Sequence, residues 1–128
     1  MSTYTIDNMS IIFKKCSICG NEVLVVKDSG NNIVCCGKPM EVMTPKTPKE
    51  HDEHMPYVYQ ADDKVLITIK HSNSEEHHIE WIILETSKGF YKTVLEKDEI
   101  PSAIYNLQKD EFVVNIYFYC NMHGLFKE

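Results

Sequence analysis

This 128-residue chain has no long apolar run. None of its hydrophobic stretches approaches the roughly 18 residues that a membrane span needs, so no membrane partner is expected. A basic surplus is also missing: Lys and Arg number 13 against 19 Asp and Glu, for a net charge of −6. Nucleic-acid binders ordinarily carry a basic patch, so no nucleic-acid partner is expected either. The polar start, Met1 to Ser10, lacks the basic-then-apolar layout of a secretory leader. The expected location is therefore the cytoplasm, where thiols stay reduced. Internal repeats, low-complexity tracts and stretches of helical periodicity are lacking as well. With 43% hydrophobic and 25% charged residues, the composition excludes disordered, collagenous and fibrous classes. It fits one globular domain, alone or with a small appendage.

What the chain does have is cysteine and histidine, five of the first and six of the second. An odd number of cysteines cannot all be paired in disulfides. Cys16, Cys19, Cys35 and Cys36 lie in the first third, while Cys120 stands near the end; His51, His54, His71, His77, His78 and His123 all follow the cysteine-rich part. This segregation predicts two chemically distinct units, residues 12–43 and 44–128, after an N-terminal extension over residues 1–11. The first reads as short β-hairpins built around the cysteines, with an apolar run from Val23 to Val26 and a turn from Asp28 to Asn32. A unit of some 30 residues with few large apolar side chains needs a metal or disulfides to hold together.

Pro45, Pro48 and Pro56 bracket a charged stretch that reads as a linker or surface loop, and its two histidines make it a candidate functional loop. From Tyr57 onward, alternation takes over. Val65, Ile67 and Ile69, then Ile79, Trp81 and Ile83, then Phe112, Val114, Ile116 and Phe118 recur at period two, with β-branched and aromatic residues throughout. That pattern predicts strands. Tyr57–Gln60, Phe90–Glu96 and Ala103–Leu107 are further strand candidates. Six or so short strands with no helix predict an all-β fold, an antiparallel β-sandwich.

The chemistry sits at defined spacings. In Cys16-x-x-Cys19, a tight turn aims two thiolates at one ion while its backbone N–H groups stabilise their charge; Cys35-Cys36 can complete a tetrahedron. Gly20 and Gly37 follow the two pairs, where a knuckle requires positive φ. A tetrahedral S₄ set means zinc or iron, and spacing alone does not separate the two. The competing view is four reduced cysteines that merely pack. His71 and His77 flank one connection between strands and can face each other across it. His78, one residue on, points to the opposite face of a strand and is expected in a surface or structural role, as is His51. Cys120-Asn121-Met122-His123 places a thiolate and an imidazole three apart on a turn, a compact chelate. His54 on the proline-rich loop joins a metal only if the others converge. Should His54, His71, His77, His123 and Cys120 meet, five ligands with one open place suit iron better than zinc, and an axial thiolate pushes electron density toward that place.

Four stretches carry a specific resemblance: Lys15-Cys16-Ser17-Ile18-Cys19-Gly20-Asn21, Val34-Cys35-Cys36-Gly37-Lys38-Pro39-Met40, Glu75-Glu76-His77-His78-Ile79-Glu80-Trp81-Ile82, and Tyr119-Cys120-Asn121-Met122-His123-Gly124-Leu125-Phe126-Lys127. In this order, they resemble the desulfoferrodoxins, the two-iron superoxide reductases, over nearly the whole chain. The resemblance implies a rubredoxin-like (desulforedoxin-like) domain with iron on Cys16, Cys19, Cys35 and Cys36, a site in which zinc can substitute. It implies an immunoglobulin-like β-sandwich whose iron takes His54, His71, His77 and His123 in the plane and Cys120 as axial ligand. The implied reaction is one-electron reduction of superoxide to hydrogen peroxide, with re-reduction by rubredoxin or a similar small electron donor. Family members are often dimers, so a homodimer is an allowed state.

One loop departs from the family. Its usual Glu-Lys-His-x-Pro reads Asp52-Glu53-His54-Met55-Pro56 here. The family's Glu closes the sixth position on oxidised iron, a role that would pass to the shorter Asp52. The family's Lys attracts superoxide, and Glu53 reverses that charge. Lys46, Lys49 or a protonated His51 on the same loop could compensate. Two other readings stand beside the reductase: an iron electron-transfer or redox-sensing protein with weakened superoxide chemistry, and a structural zinc protein, which leaves Cys120 and four histidines unused.

Overall fold

The computed structural model describes residues 11–49 and 53–128. The expected extension before Ile11, together with His51 and Asp52, lies outside the described residues. Among them every regular element is a strand, and the chain divides into two compact units, residues 1–44 and 45–128.

In the first unit, β1 (Ile12–Lys15) pairs antiparallel with β2 (Glu22–Val25) and with β5 (Glu41–Val42), while β3 (Val34–Cys35) and β4 (Lys38–Pro39) form a separate hairpin. The register of that hairpin, Val34 opposite Pro39 and Cys35 opposite Lys38, leaves Cys36 and Gly37 as a two-residue loop. Both take positive φ, 54° and 77°, the mirror-image turn that matches strand twist. A non-glycine residue pays conformational strain there, so the backbone of Cys36 is held by what surrounds it. Burial is sparse: Phe13, Cys16 and Met40 are the buried apolar residues described in this unit.

The second unit is a sandwich. One sheet runs β10 (Ser102–Asn106), β7 (Lys64–Ile69), β6 (Pro56–Ala61); the other runs β12 (Gly124–Lys127), β11 (Val113–Cys120), β8 (Ile79–Thr86), β9 (Phe90–Val94). All these pairings are antiparallel. For β7 and the second half of β11 the alternation seen in sequence now has its cause. On β8 the expected set Ile79, Trp81 and Ile83 is corrected. An irregularity in the pairing with β11 between Ile79 and Trp81 shifts the phase, and the core takes Ile82 and Leu84 instead of Trp81 and Ile83. Val65, Ile67 and Ile69 of β7 point at Ile82 and Leu84 of β8 and at Ile116, Phe118 and Cys120 of β11, in one buried cluster. Each fully buried Val, Ile or Leu side chain contributes about 1.5–3 kcal/mol. On β8 and β11, the alternate residues Ile83, Tyr117 and Tyr119 are buried too, so these two central strands read as near-continuous apolar runs. Strand β12 has no counterpart among the expected elements: it has four residues, directly after a turn, and its two buried residues, Leu125 and Phe126, are adjacent and show no alternation.

The end of the sandwich away from the histidines is tied by Glu111. Its carboxylate accepts hydrogen bonds from the Thr86 hydroxyl, the Tyr91 hydroxyl at 2.9 Å and the Gln108 backbone N–H at 2.7 Å. The Thr86 bond foremost, then the Gln108 N–H, hold this carboxyl below its ordinary value. A depressed carboxylate stabilises the fold above the unfolded-state pKa and loses that contribution as pH falls through the folded one. Glu111→Gln should therefore lower the melting temperature at pH 7, with the gap to wild type closing below about pH 4. Thermal melts at pH 7 and pH 3 measure this; a gap of equal size at both values contradicts the assignment.

Candidate metal centres

The four N-terminal cysteines converge. Their Sγ atoms all lie within 4.8 Å of one another, with Cys19 and Cys35 at 3.6 Å. Four sulfurs about 2.3 Å from one ion in a tetrahedron stand about 3.8 Å apart, so the set fits a single cation. All four are free of disulfides. Cys16 is buried at the end of β1, and the knuckle is closed by Gly20 N–H donating to Cys16 O at 3.0 Å and Cys16 N–H to Asn21 O at 2.8 Å. Backbone N–H groups of Cys19 and Ile18 hold the Cys16 thiol down to about 6, whereas Cys19 and the other cysteine neighbours push Cys36 up to about 12. One sulfur is thus an easy thiolate and another a reluctant one, as four sulfurs sharing a small volume without a counter-ion must be. Asn21 adds a side-chain N–H to Cys35 Sγ at 3.7 Å.

A second cluster forms at one end of the sandwich because the register brings strand ends together. Pro56 starts β6 opposite Ile69, which ends β7, so His54 and His71 flank that end; their rings are 4.9 Å apart. Ile79 starts β8 opposite Cys120, which ends β11, so His77 meets Cys120 and His123. His77 Nε2 stands 3.2 Å from His71 Nε2, 3.1 Å from Cys120 Sγ and 3.2 Å from His123 Nδ1. The ligand atoms of His54, His77, Cys120 and His123 all lie within 4.8 Å of one another. So do those of Glu53, His54, His71 and His77. A ring nitrogen offers one hydrogen or one lone pair, so Nε2 of His77 cannot be hydrogen-bonded to three partners at once. Neighbouring ligands on an ion with bonds of roughly 2.1 Å stand about 3 Å apart, which is the spacing observed. Burial holds His71 and His123 below the ordinary imidazole value and pushes the Cys120 thiol up. Burial thus favours the neutral, lone-pair-bearing form of His71 and His123 and the thiol form of Cys120, whose proton a cation would displace.

Of the two roles expected for His78, surface or structural, it has the structural one: it is 8% exposed, and its Nδ1–H donates to Ser74 O at 3.1 Å. Both faces of this strand start are covered, so pointing away from the ligands does not mean pointing at solvent. Glu53, expected only as a misplaced charge, offers a carboxylate oxygen within the cluster itself, while Asp52 lies outside the described residues. Sequence reasoning also misses Asn121, which reads only as a turn residue. Its Oδ1 accepts from His78 N–H at 3.0 Å and its Nδ2 donates to Glu76 O at 3.0 Å, which clasps the His77 loop to the Cys120 turn. Partners more than 40 residues away leave no local signal. Beside the cluster opens a cleft of about 550 Å³, lined by Lys46, Thr47, Lys49, Glu53, His54, His123 and Phe126. Phe126 stacks on His54 at 4.6 Å, and Lys46 Nζ lies 5.9 Å from the Phe126 ring centre.

By fold and site, this is an all-β protein with two metal-capable centres, one of four thiols and one of imidazoles and a thiol. Residues 45–128 match the family model for desulfoferrodoxin, and residues 10–43 match that for the desulfoferrodoxin N-terminal domain. A desulfoferrodoxin homolog of Archaeoglobus fulgidus is 35% identical over 117 residues, covering 88% of this chain and 92% of that protein. The desulfoferrodoxin of Nitratidesulfovibrio vulgaris is 34% identical, covering 88% and 91%. The chain belongs to the desulfoferrodoxin family. Its fold is that of the superoxide reductase from Treponema pallidum, with a TM-score of 0.80 at 24% identity over 94% of this chain and 98% of that one.

Loading the second cluster with a divalent ion at pH 7 should release about one proton more from wild type than from Cys120→Ser. Calorimetry in buffers of different ionisation enthalpy counts these protons, and equal counts would exclude Cys120 from the site. Removing metal from the first cluster should expose the amides of β1 to β5 to exchange while β8 and β11 stay protected, because the first unit has so little other core. Hydrogen-exchange mass spectrometry reads this, and unchanged protection of β1 contradicts a metal-held unit.

Proposed function

We propose that this protein is a superoxide reductase with two mononuclear irons per chain. In this reading, Cys16, Cys19, Cys35 and Cys36 of a rubredoxin-like domain (residues 12–43, after an extension over 1–11) hold one iron, a position zinc can also take. His54, His71, His77, His123 and Cys120 of the sandwich (residues 44–128) hold the other. The carrying observation is the crowding of His77 Nε2 by two imidazole nitrogens and a sulfur, a donor set of borderline nitrogens and one soft thiolate that suits iron. The desulfoferrodoxin relatives and the superoxide reductase fold support the same reading.

Iron held by these five residues would supply the one electron that, with two protons, turns superoxide into hydrogen peroxide, and a small rubredoxin-like donor would restore it. The chain's own residues do the rest. Cys120 is 0% exposed, so its sulfur is shielded from oxidants while its charge reaches the centre at low dielectric. His123 is exposed and lines the cleft, whereas His54 is buried against Phe126. The cleft thus offers a small anion an approach past Lys46, Lys49 and Glu53. The backbone of Lys46 is pinned there, since its N–H donates to Leu125 O at 2.8 Å and its O accepts from Lys127 N–H at 2.9 Å. A positive charge carried at the cleft raises the capture rate of an anion.

Glu53 favours a second reading, an iron electron-transfer or redox-sensing protein with weakened superoxide chemistry. A carboxylate inside the cluster repels an incoming anion and competes for an open coordination place.

Metal analysis should find about two irons per chain, with thiolate-to-iron absorption from both centres, that of the second lost in Cys120→Ser. A colourless zinc protein would defeat both readings. Pulse radiolysis then separates them. Lys46→Ala with Lys49→Ala should slow superoxide consumption by about tenfold and flatten its salt dependence, and Glu53→Lys should accelerate it. A wild-type rate no faster than uncatalysed decay leaves the electron-transfer reading.

A further inference from the structure

The connection between β7 and β8 delivers two proposed ligands, His71 and His77, and between them lies a residue outside the donor set. Asn73 Oδ1 is 3.1 Å from the backbone nitrogen of Ile79 and 2.7 Å from Nδ1 of His71. The Ile79 N–H can only donate, so the amide atom facing it is the oxygen. An amide oxygen can only accept, so Nδ1 of His71 carries a proton. In a neutral imidazole, the other nitrogen then bears the lone pair. That nitrogen, Nε2, is the one that stands 3.2 Å from His77 Nε2 inside the cluster. Asn73 Nδ2 is buried with no hydrogen-bond partner among the described residues. Among the described residues the amide is therefore held in place by its acceptor end, and both bonds of that end serve the ligand loop: one to the ligand, one to the first residue of β8.

The geometry points to Asn73 as a positioning residue: it locks His71 in the Nδ1–H tautomer and ties the ligand loop to β8, so that the metal-binding lone pair of His71 is aimed before any metal arrives. This rests on His71 being a ligand of the second centre, as proposed above. Partners of this kind orient ligating imidazoles and raise their basicity, and their loss ordinarily weakens metal binding by about ten- to a hundredfold.

Imidazole ¹⁵N chemical shifts of metal-free, labelled protein read the tautomer without any iron or turnover. Wild type should show His71 as Nδ1–H, and Asn73→Leu should shift it to a mixture or to Nε2–H. Iron(II) affinity of the second centre, measured by chelator competition, should fall about ten- to a hundredfold in Asn73→Leu while the four-cysteine centre is unaffected. Asn73→Asp keeps the acceptor. It should preserve the tautomer and metal binding, and lower the reduction potential of the second centre relative to the first, because a carboxylate on Nδ1–H makes His71 a stronger electron donor. The Asp variant also decides the matter should the Leu variant fail to fold. His71 found as Nε2–H in wild type, an unchanged tautomer and affinity in Asn73→Leu, or an Asp variant that loses the Nδ1–H tautomer would each overturn the assignment. Tautomer and affinity that follow Asn73 in a protein that reduces no superoxide support it and defeat the reductase reading alone.

Discussion

Several electron lone pairs at one end of the sandwich stand too close together to satisfy one another. Nε2 of His77 has an imidazole nitrogen at 3.2 Å on two sides and a sulfur at 3.1 Å on a third, and a single nitrogen cannot bond all three through one hydrogen. A cation seated among these atoms would resolve that arrangement. Burial agrees with it: His71 is held below the ordinary imidazole value, and the Cys120 thiol is pushed above its own until a positive charge displaces the proton. The four-sulfur knuckle obeys the same rule with softer atoms.

The fold exists to hold those atoms against their mutual repulsion. Two antiparallel sheets lock around Val65, Ile67, Ile82, Leu84, Ile116 and Phe118, and their registers stop β6, β7, β8 and β11 at a common end. The core thus fixes where each ligand-bearing loop starts, and short polar clasps fix the rest. Asn121 joins the His77 loop to the Cys120 turn, and Asn73 joins the same loop to β8. The N-terminal unit works the other way round. With Phe13, Cys16 and Met40 as its buried apolar residues among those described, this unit has little core of its own, and an ion on its four cysteines would supply the missing hold.

Much of this is legible in the amino-acid sequence. Period-two alternation gives the core face of β7 and of the second half of β11, whereas β8, covered on both faces, shows itself as a strand without showing which face fills the core. The C-x-x-C turn and the glycine after Cys36 announce a knuckle because tight turns require positive φ, and Gly20 and Gly37 have it at 81° and 77°. What stays hidden depends on long-range contact. Strand β12 is too short to show a period. His78 is buried because both faces of its strand start are covered. The carboxylate of Glu53, next to His54 in sequence, reads as a stray charge, whereas the loop carries it into the cluster. Lys46 gains its fixed place through a parallel bridge to Phe126, 80 residues on.

The central claim is that one cation gathers His54, His71, His77, His123 and Cys120. Anomalous diffraction at the iron edge from crystals of iron-loaded protein tests it most directly. The expected result is an iron peak bonded to four imidazole nitrogens and to the sulfur of Cys120, distinct from a second peak among Cys16, Cys19, Cys35 and Cys36. An iron-loaded sandwich with no peak among the histidines, or a peak that Cys120 does not ligate, would contradict it.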